Sequence, residues 1–258
     1  MKDPKTIQDN STLEDKKDAV IRIKNLCKAF GDQVVLNNFN LEMFNGENLV
    51  IMGKSGAGKS VMIKCMVGLM EPDSGEIEVL GNDILQLKQQ ELDVLRADIG
   101  FLFQGSALYD SMTVRENLEF PLRRHKKKKL AGKTDDLVME ALENVGLANT
   151  VDLMPAELSG GMQRRIALAR ALILKPKIIL YDEPTTGLDP ITAKEIILLM
   201  MSIQKKYKTS SLIITHDVDC ARVISNRMVL LLEQTNYAQG TFEELSHSND
   251  PKIQAFFK

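Results

Sequence analysis

The chain has 258 residues, 44% hydrophobic and 26% charged, which suits one large α/β domain with a sizeable core. Its 33 basic and 35 acidic residues leave a net charge of −2, so there is no global electrostatic case for nucleic acid. Cys27, Cys65 and Cys220 are scattered, without C-x-x-C or His-rich spacing, which predicts a reduced cytosolic protein with no zinc site. No apolar run approaches the about 20 residues that cross a bilayer, so any role at a membrane is expected to come through a partner.

Residues 1–18 are polar and aperiodic and are expected to form a flexible N-terminal tail. Residues 20–26 read as a strand, 28–31 as a turn, and Phe39, Leu41 and Met43 as alternating positions of a second strand closed by Asn45-Gly46-Glu47. The apolar run at 49–52 then enters GKSGAGKS, residues 53–60, and a helix is predicted from 61 to 69. The motif fits the P-loop pattern G-x-x-x-x-G-K-[ST] in the required context, a strand entering and a helix leaving. Glycines let consecutive N–H groups converge on phosphate oxygens at a helix N-terminus. Gly53, Lys54, Ser55, Gly56, Ala57, Gly58 and Val61 are therefore candidate phosphate-cradling residues. Lys59 would add charge at the β/γ-phosphates and Ser60 a hydroxyl for Mg²⁺.

Beyond the P-loop, 76–80 and 99–103 are predicted strands, the second running into Gln104 and a loop at 105–111. Residues 113–159 turn helical, with Leu137, Val138, Ala141, Leu142 and Val145 on one face stopped at Gly146. The basic run 125–129 reads as a solvated loop or helix end, with an acidic-partner or headgroup contact left open. A second long helix is expected over 158–174, a buried strand over 178–181 ending in Asp182-Glu183-Pro184, and a helix over 193–207. Strands at 211–215 and 228–232 and a short helix at 251–257 complete the pattern. Strands alternating with helices predict a mainly parallel sheet whose ligands sit at the carboxyl ends of its strands. Gly53, Gln104, Asp182 and His216 all fall at such ends.

Asp182 is where a P-loop protein places the carboxylate that holds Mg²⁺ through water. Adjacent side chains at a strand end diverge, so Glu183 could face a water in line with the γ-phosphate. His216 could bond that phosphate or orient the water, or be structural. Ser159 is a good N-cap and Gly160 and Gly161 expose N–H groups, giving a second anion-binding helix start. One nucleotide already has its phosphates cradled at 53–60, so a second such helix suggests a nucleotide shared between two subunits.

In this order the motifs resemble the ATPase subunits of ABC transporters, over residues 21–236. The resemblance implies an α/β P-loop NTPase fold with an antiparallel β layer, a helical subdomain at about 105–175 and a C-terminal extension at 237–258. It also implies a head-to-tail homodimer enclosing two ATP with Mg²⁺, each held by one P-loop and the opposite signature, Ser159, Gly160, Gly161, Met162 and Gln163. Phe30 matches the ring that stacks on adenine, though it could be a core Phe. Gln104 would ligate Mg²⁺ beside Ser60 and Asp182 and sense a membrane permease, Glu183 would be the general base, and Asp189 would connect the two sites. Met162, after the signature glycines, and Thr186-Gly187 depart from the commoner pattern without removing a group that hydrolysis needs.

The segment GSALYDSMTVREN at 105–117, Phe120-Pro121-Leu122, and Gly161 to Arg165 are closer to ATPases of Mla-type phospholipid and organic-solvent-resistance transporters. That resemblance implies a peripheral location on the cytoplasmic face of a bacterial inner membrane. A permease, a substrate-binding protein and a small regulatory subunit are the implied partners. Leu108 and Tyr109 could instead simply pack inside the helical subdomain. Transport of an amino acid, lipoprotein or drug, or a soluble ATPase acting on DNA or ribosomes, are the competing readings; a single nucleotide domain, no interrupting heptad arm and no strong basic patch argue against the last. Phe256 and Phe257 are expected to pack on their own domain rather than on a second subunit.

Overall fold

The computed structural model describes residues 18–125 and 133–257. Residues 1–17 of the expected tail and 126–129 of the basic run lie outside them.

A long hairpin opens the described chain: β1 (Ala19–Phe30) and β2 (Gln33–Phe44) pair from Ala19↔Phe44 to Phe30↔Gln33. Lys28, Ala29 and Phe30, expected as a turn, therefore belong to β1, and the reversal occupies 31–32. Asp73 secures that strand end, accepting from Ala29 N at 2.6 Å and Lys28 Nζ at 2.7 Å. β4 (Ser74–Val79) and the short β5 (Asn82–Asp83) complete an antiparallel sheet of order β2-β1-β4-β5.

The second sheet holds β3 (Asn48–Met52), β6 (Ile99–Leu102), β7 (Ile178–Asp182), β8 (Ser210–Thr215), β9 (Arg227–Leu232) and β10 (Thr235–Gly240). Its order is β10-β9-β3-β8-β7-β6, parallel except for β10 against β9. β3 and β8 are buried at every residue, and alternate side chains serve opposite faces. Leu49, Ile51, Leu180 and Ile214 join a core shared with the antiparallel sheet and α1 (Lys59–Met66). Val50, Met52, Tyr181 and Ile213 join a core with α5 (Gly160–Leu172), α6 (Pro190–Tyr207) and α7 (Val218–Ile224).

Within the region expected to be helical, α3 (Val114–Arg124) and α4 (Thr134–Asn144) pack with α5 around Leu118, Val138, Leu142 and Ile166. One side of α5, Ala167, Leu168 and Leu172, therefore packs on the sheet, while Ile166, Ala169 and Ile173 face α3 and α4. The loop after Gln104 is held from this unit: buried Asn117 accepts from Tyr109 N at 2.8 Å and donates to Met112 O and Thr113 O. Leu108 is partly buried between two cores, whereas Tyr109 is 42% exposed, its ring tilted on Phe120.

Three helices and two strands, β10 and the two-residue β5 at a position expected as a turn, were not anticipated. α2 (Gln89–Arg96) buries only Leu92 and Leu95, and α7 and α8 (Phe242–Ser246) are too short to show a period. β10 has no alternating apolar pattern and is half-buried, and the boundary expected between 236 and 237 falls inside it. The terminal helix α9 spans only Pro251–Gln254, short of the expected 257. Phe256 and Phe257 pack against the second core, with Phe257 edge-on to Phe242 at 5.4 Å, so the extension docks on its own domain.

Candidate active site

β3 carries the chain into the 53–60 loop, and α1 starts at Lys59 with Gly58 as its N-cap. Gly58 has φ 100, and a Cβ there would lie 2.9 Å from Val35 Cγ1 and Val35 O, so only glycine lets the loop turn against β2. No side chain caps α1, which leaves its first N–H groups for an anion. The loop forms one wall of a cleft of about 690 Å³. Lys54, Ser55, Gly56, Ala57, Gly58, Lys59, Ser60 and Val61 line it, with Phe30, Gln33 and Val35 on one side and Gln104, Asp182, Glu183 and His216 on the other. Gly53 lies just behind, its Cβ position 2.9 Å from Leu231 O.

Lys59 is buried, and its ammonium donates to Gly53 O at 2.6 Å and Lys54 O at 3.1 Å, 3.8 Å from Glu183 Oε1. Burial pushes its pKa down, opposed by Glu183 and Asp182. Asp182 is pushed up, first by burial and then by the neighbouring Glu183 charge, with Lys59 and Lys64 pulling the other way. Lys54 and Lys59 share the cleft with Asp182 and Glu183, so the charges of the lining balance, yet burial and the adjacent Glu183 still penalise the Asp182 charge, a cost that a cation beside it would relieve. Among the described residues no group of three or more His, Cys, Asp or Glu forms a metal cage. The Ser60 hydroxyl, Gln104 amide and Asp182 carboxylate offer oxygen only, a donor set that fits a hard cation carried with phosphates.

Glu183 is buried at φ 51, an uncommon backbone conformation for a non-glycine residue and a form of local strain found at functional sites. Its N–H donates to Ile214 O at 2.8 Å, tying it to β8. Oε2 lies 2.8 Å from His216 Nδ1 and accepts from Thr186 Oγ1 at 3.1 Å. Thr185 Oγ1 in turn donates to Asp217 Oδ2 at 3.0 Å, joining this turn to the N-cap of α7. Thr186, Thr185 and Gln33 carried no signal in the sequence as site residues, because their relevance depends on partners from other elements.

Phe30, at the end of β1, is 49% exposed on the cleft with Lys28 Nζ 5.6 Å from its ring centroid; it is not a core residue. Ser159, Gly160, Gly161, Met162 and Gln163 do not line the cleft. Ser159 Oγ accepts from Met162 N at 3.3 Å, and Ser159 and Gly160 stand exposed. A Cβ on Gly161 would meet Thr192 Cγ2 at 2.7 Å, so its lack of a side chain lets α5 approach α6. Met162 packs on the helical core, and Gln163 Nε2 donates to Pro155 O at 2.9 Å, bracing the preceding turn. Asp189 also lies outside the cleft; it caps α6, accepting from Ile191 N and Thr192 N. Its carboxyl is held below the usual range, chiefly by the hydrogen bonds from Thr192.

A family model described as ABC transporter matches residues 36–186. The chain is 38% identical over 239 residues to the intermembrane phospholipid transport system ATP-binding protein MlaF of Haemophilus influenzae, covering 93% of this chain and 90% of that protein. It is 41% identical to a probable ribonucleotide transport ATP-binding protein, mkl, of Mycobacterium leprae, over 92% of this chain and 68% of that one. To the methionine import ATP-binding protein MetN of Clostridium tetani it is 40% identical, over 88% and 70%. The chain spans about two thirds of the mycobacterial relatives it matches. A solved dimeric structure of the ATP-binding cassette MJ0796 in a post-hydrolysis state with ADP and Pi superposes with a TM-score of 0.78 at 33% identity, over 86% of this chain and 98% of that one. The chain belongs to the ABC transporter family and is an ATP-binding, ATP-hydrolysing subunit of such a transporter.

Proposed function

We propose that this ATPase works as a homodimer on a membrane permease and powers movement of phospholipid between membranes. The observation that carries the dimer is the separation within one chain between the cleft and the exposed Ser159–Gly160 helix start. A phosphate-binding helix end outside its own cleft finds its use against a second copy, and the similar cassette MJ0796 is dimeric. The phospholipid reading rests on the match to MlaF, which runs nearly the whole length of both chains. The 105–122 segment, with Tyr109 exposed beside the Gln104 loop, supports the same reading as the surface met by a permease. Among the described residues no helix is long and apolar enough to cross a membrane, in keeping with attachment through that permease at the cytoplasmic face of the inner membrane.

The chain's own residues divide the work. Phe30 stacks the adenine, residues 53–61 cradle the phosphates, and Lys59 turns from loop carbonyls toward them. Mg²⁺, held by Ser60, Gln104 and Asp182 with the nucleotide, would neutralise developing phosphate charge. Glu183 takes the proton of the attacking water. Its Oε2 is already engaged by His216 and Thr186, so Oε1, which among the described residues has Lys59 alone as an ion-pair partner, at 3.8 Å, is the oxygen that receives it. Ser159, Gly160 and Gly161 of the second copy close the phosphates from above.

The test is reconstitution of the chain with its permease in vesicles, following fluorescent phospholipid transfer and ATPase rate together. ATP-dependent transfer is expected, abolished by Glu183→Gln. ATPase stimulated by methionine or a ribonucleotide, with no lipid transfer, would move the substrate to the other relatives' classes.

A further inference from the structure

The helix that begins at Ser159 also carries Arg164, whose side chain points into the protein and is 5% exposed. Its Nη1 donates to Phe103 O at 2.8 Å, one residue before Gln104. Its Nη2 donates to Thr186 O at 3.3 Å, and the Thr186 hydroxyl donates to Glu183 Oε2. One guanidinium therefore holds both loops that deliver chemistry to the cleft, and it does so from the helix whose start lies outside the cleft.

Packing alone does not call for an arginine here. Burial lowers its pKa with no carboxylate offsetting that cost, and among the described residues its Nε has no hydrogen-bond partner. Arg165, next along, behaves as a surface residue would, pairing with Glu195 at 2.6 Å. What distinguishes Arg164 is a planar fork that fixes the directions of its bonds to two carbonyls from different loops, which an apolar side chain cannot make and a flexible ammonium makes without that fixed geometry.

We propose that Arg164 is a positioning residue for hydrolysis: it locks α5 to the segments bearing Gln104 and Glu183, so that docking of Ser159 and Gly160 on a second copy's nucleotide sets the geometry of the chain's own base. This rests on the homodimer reading above. α5 is a continuous helix of 13 residues packed on both sides, so a shift at its start carries Arg164 and with it both carbonyls.

The test compares wild type, Arg164→Met, Arg164→Lys and Glu183→Gln for kcat, KM, cooperativity in ATP and affinity for a fluorescent ATP analogue. Arg164→Met is expected to lower kcat roughly 10- to 100-fold, the range for a small misplacement of catalytic groups, with nucleotide affinity unchanged and cooperativity lost. Arg164→Lys should recover part of kcat. If Arg164→Met does not fold, Arg164→Lys decides: reduced kcat at wild-type affinity supports the role, and wild-type kcat overturns it. Equal losses in affinity and rate, or a wild type without cooperativity, would also overturn it. Activity surviving in Glu183→Gln would instead overturn the assignment of the base, so the two failures are told apart.

Discussion

Glu183 Oε2 lies 2.8 Å from His216 Nδ1, although the two residues follow different strands, β7 and β8. An ionised carboxylate only accepts, so the ring presents Nδ1–H to it, and Nε2 can donate to a phosphate only in the imidazolium form. The pairing leaves Glu183 Oε1 as the oxygen for proton transfer. Glu183→Gln keeps the shape and loses the base. Its kcat is expected to fall by about 10² to 10⁴ with ATP affinity retained, read by single-turnover kinetics and nucleotide titration. An unchanged rate in the purified transporter would remove Glu183 from that role.

Lys59 both braces the loop, through Gly53 O and Lys54 O, and supplies positive charge to the cleft. Charge-assisted hydrogen bonds contribute about 1.5–3 kcal/mol each, so Lys59→Ala should weaken ATP binding about 10- to 100-fold. Isothermal titration measures this directly, and undiminished affinity would count against the loop as the phosphate site.

Asp182 has a raised pKa because its charge is buried beside Glu183. A carboxyl whose folded pKa lies above its unfolded value destabilises the fold at high pH and ceases to do so as pH falls through that folded value into the ordinary carboxylate range. Asp182→Asn is therefore expected to raise the Tm at pH 7–8 while abolishing Mg²⁺-supported hydrolysis, the difference in Tm closing as pH falls toward about 4. A variant less stable than wild type at pH 8 would contradict the charge argument.

Phe30 is half-exposed, so its removal should leave stability within about 0.5 kcal/mol. Base–aromatic stacking is worth about 1–3 kcal/mol, so Phe30→Ala should raise the Kd for ATP about 5- to 100-fold and leave that for inorganic triphosphate unchanged. Equal losses for both ligands would show that Phe30 acts through the loop instead.

The exposed signature predicts that ATPase activity per chain falls on dilution into monomers. Mixing Lys59→Ala with a Gly160→Asp variant should restore activity, since one composite site in the mixed dimer is intact. Constant specific activity across dilution would refute the shared site.

Much of the site was legible because each part follows a short apolar run. A buried parallel strand is read from such a run, and its next residue must then emerge at the ligand edge, as do Gly53, Asp182 and His216. β10 was not legible because it carries no periodic apolar face, and α2 because its apolar face is only Leu92 and Leu95 within about two turns. Lys28–Phe30 looked like a turn locally, yet strand pairing and the Asp73 carboxylate keep them extended.

By itself the amino-acid order determined which phosphate-binding loop, carboxylates and helix cap the protein possesses, since these depend on neighbours a few residues apart. Tertiary structure alone decided their relations: that Ser159 and Gly160 stand outside the cleft, that one oxygen of Glu183 is taken by His216 and Thr186, and that Arg164 bridges Phe103 and Thr186. Those relations follow from β7 lying between β6 and β8 and from α5 being wedged between two cores. Such contacts join residues tens of positions apart, where hydrophobic period and local hydrogen bonding carry no information.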